Sequence, residues 1–358
     1  MRLPPPASAR RHHHLRFRTV SERGVREDLP AANLNCCPLR LARNKNQPLY
    51  GHLHFNPADL AWHPLMRHTL FFSFLWVLAS ALLSVESLSG AEISQLVTST
   101  ASYSGPARVS AGTARLGDAD AFSTSLRYSW QNRTSDEYSW SIGLWWERFG
   151  FGVTAGTPIP NTVQTLALEL GNNWEFADRW SLRTSLRPGL QSDFEDISAN
   201  DLNATALFAL AYVQSTNLTW IAAVTVDPRR DIPAIGGLGV RWRFAEDWTL
   251  SAVLPKPTVE YQLGSGWTAY AGGELVGGAW RVGDSFGTRT GRPALNDQTM
   301  TFREIRVGAG LSRLWTQKLT VGVEAGWVID RRFVYDKANL QFNGDGAPYV
   351  GITLSGRF

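Results

Sequence analysis

Tyr349-Val350-Gly351-Ile352-Thr353-Leu354-Ser355-Gly356-Arg357-Phe358 alternates apolar and polar side chains over the last ten positions of the chain. Successive side chains on a strand point to opposite faces. Val350, Ile352, Leu354, Gly356 and Phe358 therefore share one face, and Tyr349, Gly351, Thr353, Ser355 and Arg357 the other. Chain ends generally fray into water, so a terminus in strand register that stops on an apolar ring is unusual. The stretch reads as a sheet strand held to its last residue.

Working back from it, the chain from about residue 107 onward shows recurring period-two runs and no sustained 3.6-residue apolar period. Phe122–Gln131 and Tyr138–Glu147 form one such pair of runs, and Leu166–Phe176 returns through Trp180–Leu190. Ala204–Val213 pairs with Leu218–Asp227, Leu238–Phe244 with Trp248–Leu254, and Val259–Leu263 with Trp267–Arg281. Ile305–Leu311 and Leu319–Ile329 precede the closing strand. Each run approaches the length a tilted strand needs to cross a bilayer, about 9–11 residues. Two hairpins repeat one pattern, Phe176-Ala177-Asp178-Arg179-Trp180-Ser181-Leu182 and Phe244-Ala245-Glu246-Asp247-Trp248-Thr249-Leu250. Both set aromatics beside a short polar turn, as a bilayer interface selects. Thirteen of the 15 tryptophans follow residue 91, mostly at ends of expected strands. A soluble β-sandwich with Trp in its core would share the period. Here, tight turns alternate with long connections (150–161, 192–202, 228–236, 282–300 and 331–347), which favours a membrane barrel. The expectation is an all-β, transmembrane, antiparallel up-and-down β-barrel of about 12 strands, or 14 if Ala107–Leu116 and one irregular stretch are strands.

The front of the chain reads differently. Residues 1–65 hold ten Arg and Lys against four Asp and Glu, a net of +6, and the chain as a whole is +4. Arg67 and Glu86 cancel, so residues 91–358 stand at 4 − 6 = −2, and the basic balance implies no nucleic-acid partner. Every His lies at or before His68, and the only cysteines, Cys36 and Cys37, are adjacent, without zinc or disulfide spacing. Residues 1–65 are therefore expected to be a spurious or disordered basic leader, with Met66 as the true start. Arg67-His68, the apolar run Leu70–Val85 and the small residues Ser89-Gly90-Ala91 have the three parts of a cleaved signal peptide over 66–91. An uncleaved anchor helix is the alternative, although the run is short for a membrane span. Residues 92–106 are expected as a short amino-terminal segment and 107–358 as the barrel.

The closing decapeptide resembles the carboxy-terminal signal of bacterial outer-membrane β-barrels, which implies that Phe358 takes part in recognition by the barrel-assembly machinery. Leu254-Pro255-Lys256-Pro257-Thr258-Val259-Glu260-Tyr261, with Gly272-Gly273-Glu274-Leu275 downstream, resembles an uncharacterised family of bacterial outer-membrane β-barrels known as a domain of unknown function. That resemblance covers most of residues 105–358. It implies location and fold, and no reaction.

No His or Cys follows His68, so the mature chain has no imidazole or thiol to act as base or nucleophile. Outer-membrane phospholipase, protease, palmitoyl-transferase and lipid A deacylase families need such a His, and no enzyme is expected. No cofactor or metal site is expected either. The acidic loop Ser192–Asp201 lacks EF-hand spacing, and Gly236-Gly237-Leu238-Gly239 precedes no helix pattern. Arg127, Arg183, Arg187, Arg241, Arg243, Glu260, Glu274, Arg306 and Glu324 fall on the polar face of their strands. Charge facing lipid would cost about 2–4 kcal/mol per residue at the midplane, so these nine are the candidate lumen lining. A passive pore for small solutes is the leading expectation, and a non-conducting structural or surface-interaction barrel with a filled lumen the alternative. Expected partners are outer-membrane lipid and lipopolysaccharide, the latter at Arg229-Arg230 and Arg289–Arg292, together with the assembly machinery.

Overall fold

The structure, a computed structural model, describes residues 93–230 and 232–358. The expected leader and signal peptide lie outside the described residues. The strands are β1 (Ile93–Ala111), β2 (Ala114–Arg133), β3 (Tyr138–Val153), β4 (Thr162–Ala177), β5 (Trp180–Ser192), β6 (Leu202–Ser215) and β7 (Leu218–Val226). They continue as β8 (Ala234–Arg243), β9 (Trp248–Ala252), β10 (Thr258–Gly264), β11 (Trp267–Arg281), β12 (Thr299–Thr316), β13 (Leu319–Tyr335), β14 (Leu340–Gly344) and β15 (Ala347–Arg357). Each pairs antiparallel with its successor up to β13. Both β14 and β15 then lie between β13 and β1. They are two segments of one closing strand, so the 15 segments make 14 strand columns around a closed sheet. The seam runs from Leu96↔Arg357 to Ser104↔Tyr349.

Two expectations are corrected. The barrel has 14 strands where about 12 were counted, and its first strand begins at Ile93, so residues 92–106 are not a separate segment. Ala107–Leu116 is not a strand of its own but a hairpin tip, with β1 and β2 meeting across Gly112-Thr113. The period was hidden because Ser and Thr occupy much of β1. Hydroxyl pairs Thr100–Ser125 and Ser102–Ser123, both 2.7 Å, tie β1 to β2 instead of large apolar contacts.

Apart from the β1–β2 tip at Gly112-Thr113 and the four-residue β13–β14 turn, the tight turns lie on the rim that carries the β1 start and the β15 end. At the β10–β11 turn, Gly264, Ser265 and Gly266 have φ of 82°, 53° and 77°, a left-handed path that glycine enters without a Cβ clash. The outer surface exposes a belt of apolar side chains, including Leu144, Leu168, Leu311, Val323 and Val350. At its tight-turn margin aromatic rings meet in pairs, Trp174–Phe176, Trp180–Tyr212 and Trp248–Tyr261, with centroids 5.3, 4.6 and 4.7 Å apart.

Candidate functional site

The interior divides into a filled half and an open half. In the long-loop half, aromatic side chains from strands that are not neighbours meet across the lumen. Phe149 of β3 lies 5.4 Å from Phe302 of β12 and 5.2 Å from Trp280 of β11. Phe151 lies 4.9 Å from Phe302 and 5.3 Å from Phe333 of β13. These rings continue the inward face that Ser139, Ser141 and Gly143 begin lower on β3. Met300, Leu295 and Phe342 join them in the buried cluster.

One step toward the tight-turn rim, Glu304 is fully buried and accepts from Arg331 Nε at 2.7 Å, Arg306 Nε at 2.8 Å and Ser104 Oγ at 3.0 Å. Arg331 also donates to the carbonyl of Ala119 at 2.7 Å, and Arg306 to Ser102 Oγ at 2.9 Å. The buried carboxylate is tolerated because both its oxygens are engaged, Oε1 by Arg331 and Oε2 by Arg306. Arg331 faces inward because β13 carries a bulge, with Arg306 opposite Val328 and Ile305 opposite Asp330. The extra residue reverses the faces, turning Arg331, Phe333 and Tyr335 into the interior.

Below and beside this fill lies a cavity of about 770 Å³. The wall is low along one side of it. β8 pairs with β9 only over Val240–Arg243, and β10 reaches β11 only as far as Thr258↔Gly272. Above that level Leu254-Pro255-Lys256-Pro257 forms a sill, with Pro257 and Pro255 carbonyls accepting from Gly273 and Leu275 at 2.9 and 2.8 Å. Higher still, the edges of β8 and β11 face each other without a strand between them. The consecutive residues Gly236–Gly239 and Glu274–Trp280 all line the cavity. Because no strand pairs with these two edges above the sill, the cavity is bordered there by a gap in the wall, and Leu238 at its margin is 87% exposed.

A clasp spans the top of this gap. Arg281, the last residue of β11, meets Ser192 of β5 in a single parallel bridge, and Asp193 N donates to the Arg281 carbonyl at 3.0 Å. Its guanidinium pairs with Asp201 at 3.0 Å, and with Asp284 and Asp297. Asp193 accepts from Gly283 N at 2.7 Å, yet burial outweighs its two backbone hydrogen bonds and raises its carboxyl above the usual range.

The nine candidate lumen residues sort into groups. Arg127 and Arg187 converge on Glu169, at 2.6 and 3.6 Å, and Arg187 stacks 3.7 Å over the Trp145 ring. Glu274 and Glu324 share Lys256, at 3.8 and 2.6 Å, and Tyr270 donates to Glu324 at 3.1 Å. Arg306 belongs to the Glu304 network. Arg183, Arg241 and Arg243 are exposed toward the tight-turn end and are not brought into these clusters. Glu260 accepts from Thr258 at 3.2 Å. Four central members escaped the candidate set: Glu169, Lys256, Glu304 and Arg331. Alternation alone was a sufficient signal for Glu169 and Glu304, whereas the sill and the bulge concealed the other two. At the terminus, Phe358 exchanges backbone hydrogen bonds with Gln95, at 2.9 and 2.7 Å.

The fold and its interior define a closed antiparallel β-barrel, filled at one end and open through its side. Its family is equally plain: the chain belongs to the Domain of unknown function (DUF6268) family, which matches residues 121–351. No curated protein sequence matches significantly. Among solved structures, the chain is similar to the COG4313 outer membrane channel from Pseudomonas putida F1, with 10% identity and a TM-score of 0.42 over 77% of this chain and 98% of that one. It is also similar to the Pseudomonas putida toluene transporter TodX, with 11% identity and a TM-score of 0.40 over 77% and 93%. The NanC porin gives 12% identity and a TM-score of 0.34 over 73% and 98%.

Proposed function

We propose that this protein is a bacterial outer-membrane barrel that passes small solutes between its tight-turn end and the side opening, and that it acts as a channel and not an enzyme. The observation that carries this reading is the pair of unpaired strand edges lining one cavity. The apolar belt and aromatic margin support the membrane location, with export through a cleaved signal peptide. Gly239 and Ala234 stand three and eight residues along β8 from Trp242 in the aromatic margin. At about 3.3 Å per residue the gap begins roughly 10 Å along the strand from that margin. It therefore falls within an apolar belt about 25 Å tall. The nine candidate residues line or frame the lumen in this reading, and Phe358 is the assembly signal. The ring contacts across the lumen also support the alternative of a non-conducting structural barrel. The side-opening cavity favours transport.

The test is entry of 1-naphthol into vesicles with a lipopolysaccharide outer leaflet. Wild-type barrel accelerates entry, and conductance in planar bilayers stays low because the long-loop half is filled. Gly237→Trp returns entry to the rate of empty vesicles. A Cβ at Gly237 meets nothing closer than Leu254 at 3.9 Å, so the substitution narrows the gap without forcing the backbone. Unchanged entry in that variant refutes the side route, and recovery of the protein from the soluble periplasm refutes the location.

A further inference from the structure

Glu147 is the carboxylate that the networks leave over. It sits on β3 between Trp145 and Phe149 on the inward face, directly under the aromatic fill, and lines the cavity. Its cross-strand neighbours are Ser125 and Thr165. The Ser125 hydroxyl is engaged with Thr100 at 2.7 Å, and Thr165 accepts from Trp280 Nε1 at 2.9 Å. The two guanidiniums that act on it, Arg187 and Arg230, are each held by another carboxylate, Glu169 at 3.6 Å and Asp227 at 3.1 Å. Among the described residues Glu147 has no hydrogen-bond or ion-pair partner. A carboxyl so placed carries a desolvation cost that the two guanidiniums offset only from a distance, with no direct hydrogen bond.

The geometry points to Glu147 as the anchor of a binding site for small uncharged amphiphiles that bear a hydrogen-bond donor, such as an alcohol, phenol or primary amide. This rests on the channel reading above and specifies what the cavity takes. The facing wall supplies the apolar half of the site through Leu207, Ile221, Ala223 and Val276. The margin of the opening is apolar outward, at Leu238 and Leu254, while its edges are peptide groups that need hydrogen bonds. A pure hydrocarbon satisfies the first requirement only. Charge is disfavoured in both directions. An ammonium would add a cation to a cluster in which Arg127, Arg187 and Arg230 already balance Glu147, Glu169 and Asp227, and a carboxylate would face Glu147 and have to displace Glu169, Asp227 or Glu324 from cations they already hold. A neutral donor meets Glu147 without disturbing those pairs.

Three ligands with one ring and different heads test this: cyclohexanol, cyclohexylammonium and cyclohexanecarboxylate. Each is titrated calorimetrically into the full barrel in lipid nanodiscs, with empty discs as reference. Cyclohexanol is expected to bind at least about tenfold more tightly than either ion, the scale of one hydrogen bond. Glu147→Leu weakens cyclohexanol about tenfold, while Glu147→Gln, which keeps an acceptor oxygen, stays within about threefold. Retained heat-modifiable migration on gels shows that both variants fold. Equal binding of the three heads, no saturable binding of any, or wild-type affinity in Glu147→Leu overturns the assignment. Head-selective binding without accelerated entry in the vesicle assay would leave the site standing and remove the channel reading. Entry with head-indifferent binding would do the reverse.

Discussion

Whether the long-loop half is filled can be decided by one pair of residues. Phe151 and Phe302 sit on β3 and β12, which share no ladder, and their ring centroids are 4.9 Å apart at 70°. Phe302 is 1% exposed and also touches Phe149 and Phe333 at 5.4 and 5.0 Å. Truncating a buried Phe to Ala costs about 3–5 kcal/mol through lost transfer energy and the cavity left behind. Phe302→Ala should therefore lower the stability of the barrel in vesicles by that amount, read from urea titrations followed by tryptophan fluorescence. A loss confined to packing on the strand's own neighbours would give the same single value, so the single variant does not discriminate. The double-mutant cycle with Phe151→Ala does. An edge-to-face pair is worth about 0.5–1.5 kcal/mol beyond burial, and that coupling should appear only if the rings meet across the lumen. Independent sites add within about 0.3–0.5 kcal/mol. A coupling energy under that limit would refute the filled interior, and with it the reason for routing solutes through the wall.

Further outcomes follow from the same structure. Glu304→Ala leaves Arg306 and Arg331 buried without their shared carboxylate and should cost about 3–5 kcal/mol in the same titration. Leu168→Arg places a charge on the exposed belt and should cost about 2–4 kcal/mol if that surface meets lipid near the midplane, whereas a water-facing Leu168 would show almost no change. Arg281→Ala removes the cation that gathers Asp201, Asp284 and Asp297, so proteolysis of the loop after β11 should accelerate. Asp193 has a carboxyl pKa raised in the folded state by burial. Its contribution is therefore fully present below its unfolded value of about 3.8 and is lost as pH rises through the folded one. Comparing pH-stability curves of wild type and Asp193→Asn should show a steeper decline in the wild type over that window.

Much of the barrel was legible because a bilayer makes alternation obligatory. Leu166, Leu168 and Leu170 expose their side chains on one face of β4, and Thr165, Ala167 and Glu169 turn inward, as period two requires. Alternation reports the face, however, and not what the face meets. Phe149 and Phe151 share a face with Ser139 and Ser141, and a period count cannot say that this lining becomes a packed core nearer the long loops. β13 shows the second limit. Its run Val323, Ala325, Trp327, Ile329 predicts the lipid face correctly up to the bulge, after which the faces exchange and Arg331 becomes a buried partner of Glu304. Lys256 was hidden for another reason. It lies in a proline-flanked connection, and only the shortness of β9 and β10 brings that connection down to Glu324.

The fill and the gap are best understood together. Short strands β9 and β10 leave strand edges unpaired, which in a bilayer is tolerated only where the backbone meets water or protein. A barrel weakened along one side needs its remaining columns held in place. Above the sill, the Arg281–Ser192 bridge closes a smaller ring running from β11 through the seam to β5, nine columns in all. A ring of that size is narrow enough for side chains to fill, because interior diameter falls with strand number. The aromatic cluster occupies that ring, and the Glu304 network forms its floor. The connection that lowers the wall between β8 and β11 thus also allows the far end to be packed shut. In the proposed channel, with the axis packed shut above, a solute in the cavity beside Glu147 passes between the tight-turn end and the side opening. Breaking the Arg281 clasp should then loosen the fill and the gap in concert. Arg281→Ala is expected to raise planar-bilayer conductance and to alter 1-naphthol entry in the same preparation. A variant that changes one and leaves the other untouched would show that the two are separate features of the wall.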